Sequence, residues 1–214
     1  MRRKLAPVWP ALWRGAIALL TLEIVTISVL RYFTDWQSPP GVILANAFAK
    51  PFLPLHVIGG VTALAVGPLQ FVRRIRERVP AFHRATGKIY AAACAVGAPA
   101  GFMLAIGTKA GPIAALGFAI PAVLWPIFTF AGIRHAIGGR FAEHRAWMIR
   151  SYAVTANAIT LRVMLPAAGL MGIPFLPAYQ VIAWLGWIVN LGAAELYLMH
   201  RTRSAASFGS PLIA

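Results

Sequence analysis

Residues 113–133 read IAALGFAIPAVLWPIFTFAGI, 21 positions without a charged side chain. A helix that crosses a bilayer needs about 20 mostly apolar residues. The run therefore predicts a membrane span. Working outward from it, five further stretches of the same kind lie at 14–32, 52–72, 85–106, 146–166 and 177–199. The predicted fold is an all-α integral membrane protein with six transmembrane helices. The connecting segments are short, so sequential helices form antiparallel hairpins within one domain, residues 1–203. Residues 204–214 are a run of mostly small side chains and are expected to be a disordered cytoplasmic tail.

The composition agrees. The 214-residue chain is 59% hydrophobic and 12% charged, with mean hydropathy +0.72. A soluble domain carries about a quarter charged residues, so a soluble enzyme is excluded. The net charge of +15 would suggest nucleic acid in a soluble protein, but position matters more here. Of the 20 Lys and Arg, 16 lie in or within a few residues of the segments before the first span, between the second and third, between the fourth and fifth, and after the sixth. The opposite side keeps Arg31, Lys50 and Lys109. The positive-inside rule then puts the basic side and both termini in the cytoplasm. The expected partner is the lipid bilayer, not nucleic acid. The start Met1-Arg2-Arg3-Lys4 is similar to that of a signal peptide, but the apolar run is long, contains Glu23 and ends in Arg31-Tyr32. It reads as a retained span.

Small residues recur every four positions at Gly59, Ala63 and Gly67 and at Ala93, Gly97, Gly101 and Ala105. Such stripes let membrane helices approach closely, or leave room for a flat cofactor. There is also an internal echo. His83-Arg84 with Lys88 and Tyr90 opens the third span, and His144-Arg145 with Arg150 and Tyr152 opens the fifth. Spans two to five thus suggest a four-helix core made of two repeated hairpins.

Ionisable groups at membrane depth are costly and mark candidate sites. On the fifth span, His144, Ser151, Thr155 and Arg162 fall on one helical line. This polar stripe should face protein or water. His144 and Arg162 are separated by about 27 Å along a helix, so they lie near opposite surfaces. His56 should sit near the depth of Arg162, which makes the two an outer-side candidate site. Arg150 and Asn157 form a second, shorter line. Glu23 and Glu195 are candidate proton sites, or partners of an arginine. Asn190 fits a hydrogen bond between helices, and the single cysteine, Cys94, fits a packing role. His83 and His144, at one depth on two helices, could clamp a haem b iron, with Arg84, Arg145 and Lys88 as partners for its propionates. No P-loop, G-x-G-x-x-G, H-E-x-x-H or cysteine cluster is present, which leaves nucleotide-driven transport and zinc hydrolysis without support.

The strings LHVIGGVTALAVGPLQF (55–71), HRATGKIY (83–90) and HRAWMIRSY (144–152), with Leu161-Arg162 after them, resemble the bacterial predicted-membrane-protein family catalogued as domain of unknown function 2306. That resemblance covers roughly residues 50–170 and implies a multi-pass membrane protein without assigning an activity. The layout is more distantly similar to transmembrane b-type cytochromes, which hold two haems on a four-helix core. This chain departs from them in that His56 lacks a histidine partner on the outer half of the fourth span, so the similarity implies one bis-histidine haem at most.

Three functions compete on the sequence. The first is a haem b membrane redox protein, an oxidoreductase if enzymatic, exchanging electrons with quinone or a membrane redox partner. The second is a proton-coupled small-solute carrier using Glu23, Arg162 and His56. The third is a non-catalytic membrane subunit or assembly factor.

Overall fold

The computed structural model describes residues 41–208. The span expected at 14–32, with Glu23, lies outside the described residues. The described chain is helical throughout, in the order α1 (Gly41–Leu44), α2 (Ala49–Gln70), α3 (Arg73–Arg78), α4 (Pro80–Ile106), α5 (Pro112–Ile137), α6 (Phe141–Thr155), α7 (Asn157–Leu170) and α8 (Phe175–Phe208). Among the described residues, five helical stretches are long and apolar enough to cross a membrane, α6 and α7 together making one of them. They coincide with the second to sixth predicted spans.

The boundaries differ in ways that have local causes. Pro80 and Pro112 open α4 and α5, where the missing N–H of proline costs nothing. The α5–α6 and α7–α8 turns use Gly139 (φ 70°) and Gly172 (φ 73°), in the left-handed region that glycine enters without strain. The last helix runs to Phe208, five residues into the segment expected to be disordered. Ser204-Ala205-Ala206 continues it because alanine is the strongest helix former. The short basic helix α3 had no counterpart in the hydropathy reading, which detects only apolar runs.

The fifth predicted span is not one helix. It breaks at Ala156 (φ −66°, ψ −9°) between α6 and α7. Thr155 Oγ1 donates to the Ser151 carbonyl at 3.1 Å, and Thr160 Oγ1 lies 3.4 Å from the Ala156 carbonyl. Such back-bonding by hydroxyls competes with the helical ladder and bends it.

Helix α2 packs on α4, α4 on α5, α5 on α6, and α6 returns to α2. These four form the predicted core, with α4 and α6 on one diagonal. Helix α8 packs outside the ring against α5, α6 and α7. The closest approach is between α2 and α4. A Cβ on Gly59 would lie 2.6 Å from Gly97 Cα and 2.7 Å from the Ala93 carbonyl oxygen. At Gly59 and Gly97 the stripes meet by direct helix contact, which leaves no room there for a flat cofactor, while Gly67 and Gly101 face the side chains of Tyr152 and His56. Large apolar side chains such as Phe130 and Leu116 point outward, as a lipid-facing surface requires.

Polar ties hold the outer helix. Gln180 Nε2 donates to the Ala110 carbonyl at 2.7 Å, Trp184 Nε1 to that of Ile113 at 2.9 Å and Trp187 Nε1 to that of Gly117 at 3.0 Å. Arg150 grips Glu195 with two bonds, 2.5 Å from Nε and 2.9 Å from Nη2, its guanidinium 4.8 Å from the Trp147 ring centre. Of the two roles weighed for Glu195, the geometry gives it that of counter-ion to Arg150.

Candidate functional site

Three groups of polar side chains lie along the four-helix core. The central one is closed. Tyr90 on α4 reaches across the diagonal to α6, where its Oη lies 2.8 Å from both Ser151 Oγ and Thr155 Oγ1. Trp125 Nε1 on α5 donates to the same oxygen at 3.3 Å. Ser151 Oγ is 2.7 Å from Thr129 Oγ1, which lies 2.8 Å from the Trp125 carbonyl and 3.4 Å from Cys94 Sγ. Tyr90, Cys94 and Ser151 are fully buried. No water is at hand in a bilayer core, so buried polar groups must find partners within the protein. This cluster does so across three helices. Ser151 and Thr155, expected on an inward polar stripe, face here, and Cys94 packs beside them.

Tyr90→Phe should remove one acceptor from Trp125 and one partner each from Ser151 and Thr155 while keeping the ring. We expect a loss of about 1–3 kcal/mol, read as a lower melting temperature in detergent. A variant that melts with the wild type would show that the network does not hold the bundle.

The second group lies at the basic end. His83 and His144 occupy the first turns of α4 and α6, on the diagonal, and both are half-buried. His144 Nδ1 is 2.8 Å from the Gly132 carbonyl oxygen. A carbonyl only accepts, so Nδ1 carries a hydrogen, and in the neutral tautomer Nε2 keeps the lone pair. His83 has an amide as its neighbour. The Gln70 side chain lies 2.6 Å from Thr86 Oγ1 and 3.2 Å from His83 Nδ1. The amide nitrogen towards His83 satisfies all its neighbours, whereas the oxygen there faces the His83 carbonyl and leaves the nitrogen against Gly87 N–H. With the amide nitrogen towards His83 it donates to Nδ1, and the imidazole hydrogen sits on Nε2. With the amide oxygen there it accepts from Nδ1–H, and Nε2 is left with its lone pair. The first also satisfies the His83 carbonyl, 3.3 Å away. Turning the Gln70 amide therefore sets the His83 tautomer.

His144, Arg76 and Arg84 all act electrostatically on His83. Next to His144, Arg145 buries its Nε with no hydrogen-bond partner among the described residues. Arg84 and Lys88 are exposed. At this level α2 and α5 present glycines, and side chains fill the space: Tyr152 lies against Gly67 and Met148 against Gly132. A planar ligand entering here displaces side chains, not helices. The basic end thus brings together His144, a second histidine across the diagonal and an orphaned buried guanidinium nitrogen.

The third group lies at the other end. His56 Nδ1 is 2.9 Å from the Gly97 carbonyl oxygen, so it too carries the hydrogen. Its ring rests on Gly101, where a Cβ would come within 2.8 Å. The Arg162 charge acts on His56, so the predicted outer pair is within electrostatic range, and Arg162 Nη1 also donates to the Ala158 carbonyl at 3.1 Å. Asn190 accepts from Thr160 at 3.0 Å between α7 and α8, while Asn157 sits at the helix break. No cluster of three or more His, Cys, Asp or Glu side chains able to hold a metal occurs among the described residues.

Gln70, Trp125 and Thr129 went unremarked in the sequence. A signal was there for two of them: Thr129 is the one hydroxyl in residues 113–133, and Gln70 the one amide in residues 55–71.

Neither a curated relative nor a solved structure matches this chain. The family model described as predicted membrane protein, DUF2306, matches residues 53–198. That match takes in all four helices of the core, both histidines at its basic end and most of α8, and the chain belongs to this family.

Proposed function

We propose that this protein is a membrane redox protein that holds one haem b between His83 and His144, at the cytoplasmic side of a bacterial inner membrane. The observation that carries the reading is the diagonal histidine pair, with the His144 Nδ1 hydrogen tied to the Gly132 carbonyl so that Nε2 is the ligand atom. Arg145, whose Nε lies buried and unpartnered, takes a propionate. The Gln70 amide nitrogen donates to His83 Nδ1, so haem binding requires that amide to turn before the second Nε2 is freed. Haem bound there supplies one-electron transfer, with quinone or a membrane redox protein as partner. The hydroxyl cluster one layer deeper keeps α4, α5 and α6 in register, which sets the separation of the two histidines.

The test is an absorption spectrum of the protein purified in mild detergent from haem-replete cells. The reading requires a Soret band at near-stoichiometric haem. A colourless preparation overturns it and favours the non-catalytic membrane subunit.

A further inference from the structure

A cleft of about 380 Å³ opens on the outer face of α5 at its basic end, away from the four-helix interior. Its lining has two parts. Ile127, Phe130 and Ala131 form an apolar wall, and Arg134, His135 and Arg140 form the head. The wall is not covered by protein: Ile127 is 51% exposed and Phe130 62%. On a membrane-spanning helix such positions meet acyl chains. No acidic side chain lines the cleft.

The head is built by the backbone. At the end of α5 the Arg134, Ala136 and His135 carbonyls accept from Gly138, Gly139 and Arg140 N–H at 3.0, 3.1 and 2.9 Å. Gly139 (φ 70°) makes the turn. This glycine-terminated close folds Arg140 back beside Arg134 and satisfies carbonyls that would otherwise repel an anion. The Arg134 guanidinium stands 6.0 Å from the Phe130 ring centre, at the junction of wall and head. His135 Nδ1 is shielded from water and has no hydrogen-bond partner among the described residues, a costly state for a polar group.

We propose that this cleft binds one anionic glycerophospholipid, its phosphate between Arg134 and Arg140 beside His135 and one acyl chain along Ile127 and Phe130. The apolar wall requires a chain, and the paired guanidinium groups require a net negative head. The site is independent of the histidine pair in the core.

The experiment is native mass spectrometry and thermal melting of the purified full chain, titrated with phosphatidylglycerol, with phosphatidylcholine of the same chains, or with inorganic phosphate. Phosphatidylglycerol should remain bound through delipidation and raise the melting temperature, and the other two should not. Arg134→Ala/Arg140→Ala should weaken phosphatidylglycerol about 30-fold, at about fivefold for each arginine lost near the surface. Arg74→Ala/Arg78→Ala removes the same charge from α3 on the same side and should keep the affinity. Equal stabilisation by both lipids, an effect of phosphate alone, or equal losses in the two double variants would each overturn the site.

Discussion

His144→Asn is expected to abolish the Soret band while leaving the bundle folded. The asparagine amide nitrogen falls where Nδ1 of histidine lies, so the bond to the Gly132 carbonyl at 2.8 Å can persist. Nothing then replaces Nε2. The substitution thus separates two roles that alanine would remove together. Melting in detergent should stay within about 1 kcal/mol of the wild type, the usual worth of one such hydrogen bond. His83→Ala should lose the band as well, and free imidazole should restore part of it in His144→Ala by filling the vacated position. A His144→Asn protein with an unchanged spectrum would remove His144 as a ligand. One that fails to fold would show that the imidazole itself supports α6, and His83→Ala with imidazole rescue would then carry the test alone.

Among the described glycines, Gly59→Ala should be the most damaging, because its nearest neighbours are all backbone. The added Cβ would meet Gly97 Cα at 2.6 Å and the Ala93 carbonyl oxygen at 2.7 Å. These are backbone atoms of α4, and no side chain can rotate away, so the two helices must separate. Overpacking usually costs about 1–3 kcal/mol and occasionally more; we expect about 3 kcal/mol or more here, because close packing of the interior transmits the shift. The next residue provides the control. A Cβ on Gly60 meets nothing within 4 Å, so Gly60→Ala should melt with or slightly above the wild type. The two variants differ by one position on one helix. Matching melting curves would mean that the α2–α4 contact is not a tight one.

The two results address different levels of the protein, and they were legible in the sequence to different degrees. The Gly59 stripe was visible as a period of four, and so was the choice between helix contact and a cofactor slot. Only the facing glycine, Gly97, decides it, 38 positions away by numbering, because the distance between two backbones is a property of the pair. The histidine pair was likewise visible from the repeated His-Arg openings. Its diagonal placement was not, since spacing along a chain does not say which helices are neighbours around a ring. The break at Ala156 escaped the periodic reading for a related reason. A polar line drawn at constant pitch assumes a continuous helix, and Thr155 and Thr160 interrupt it with side-chain contacts to the backbone.

What the sequence by itself determined was the class of the protein and the arrangement of its charge. Both follow from local sums: about 20 apolar residues span a bilayer whatever their neighbours, and arginines collect on one side whatever the packing. What only the tertiary structure decided was who partners whom. Tyr90 meets Ser151 and Thr155, Gln70 meets His83, and Arg150 meets Glu195. Away from water a polar group must be matched by another group of the protein, and that match is set in space, where residues far apart in the chain are brought within 3 Å.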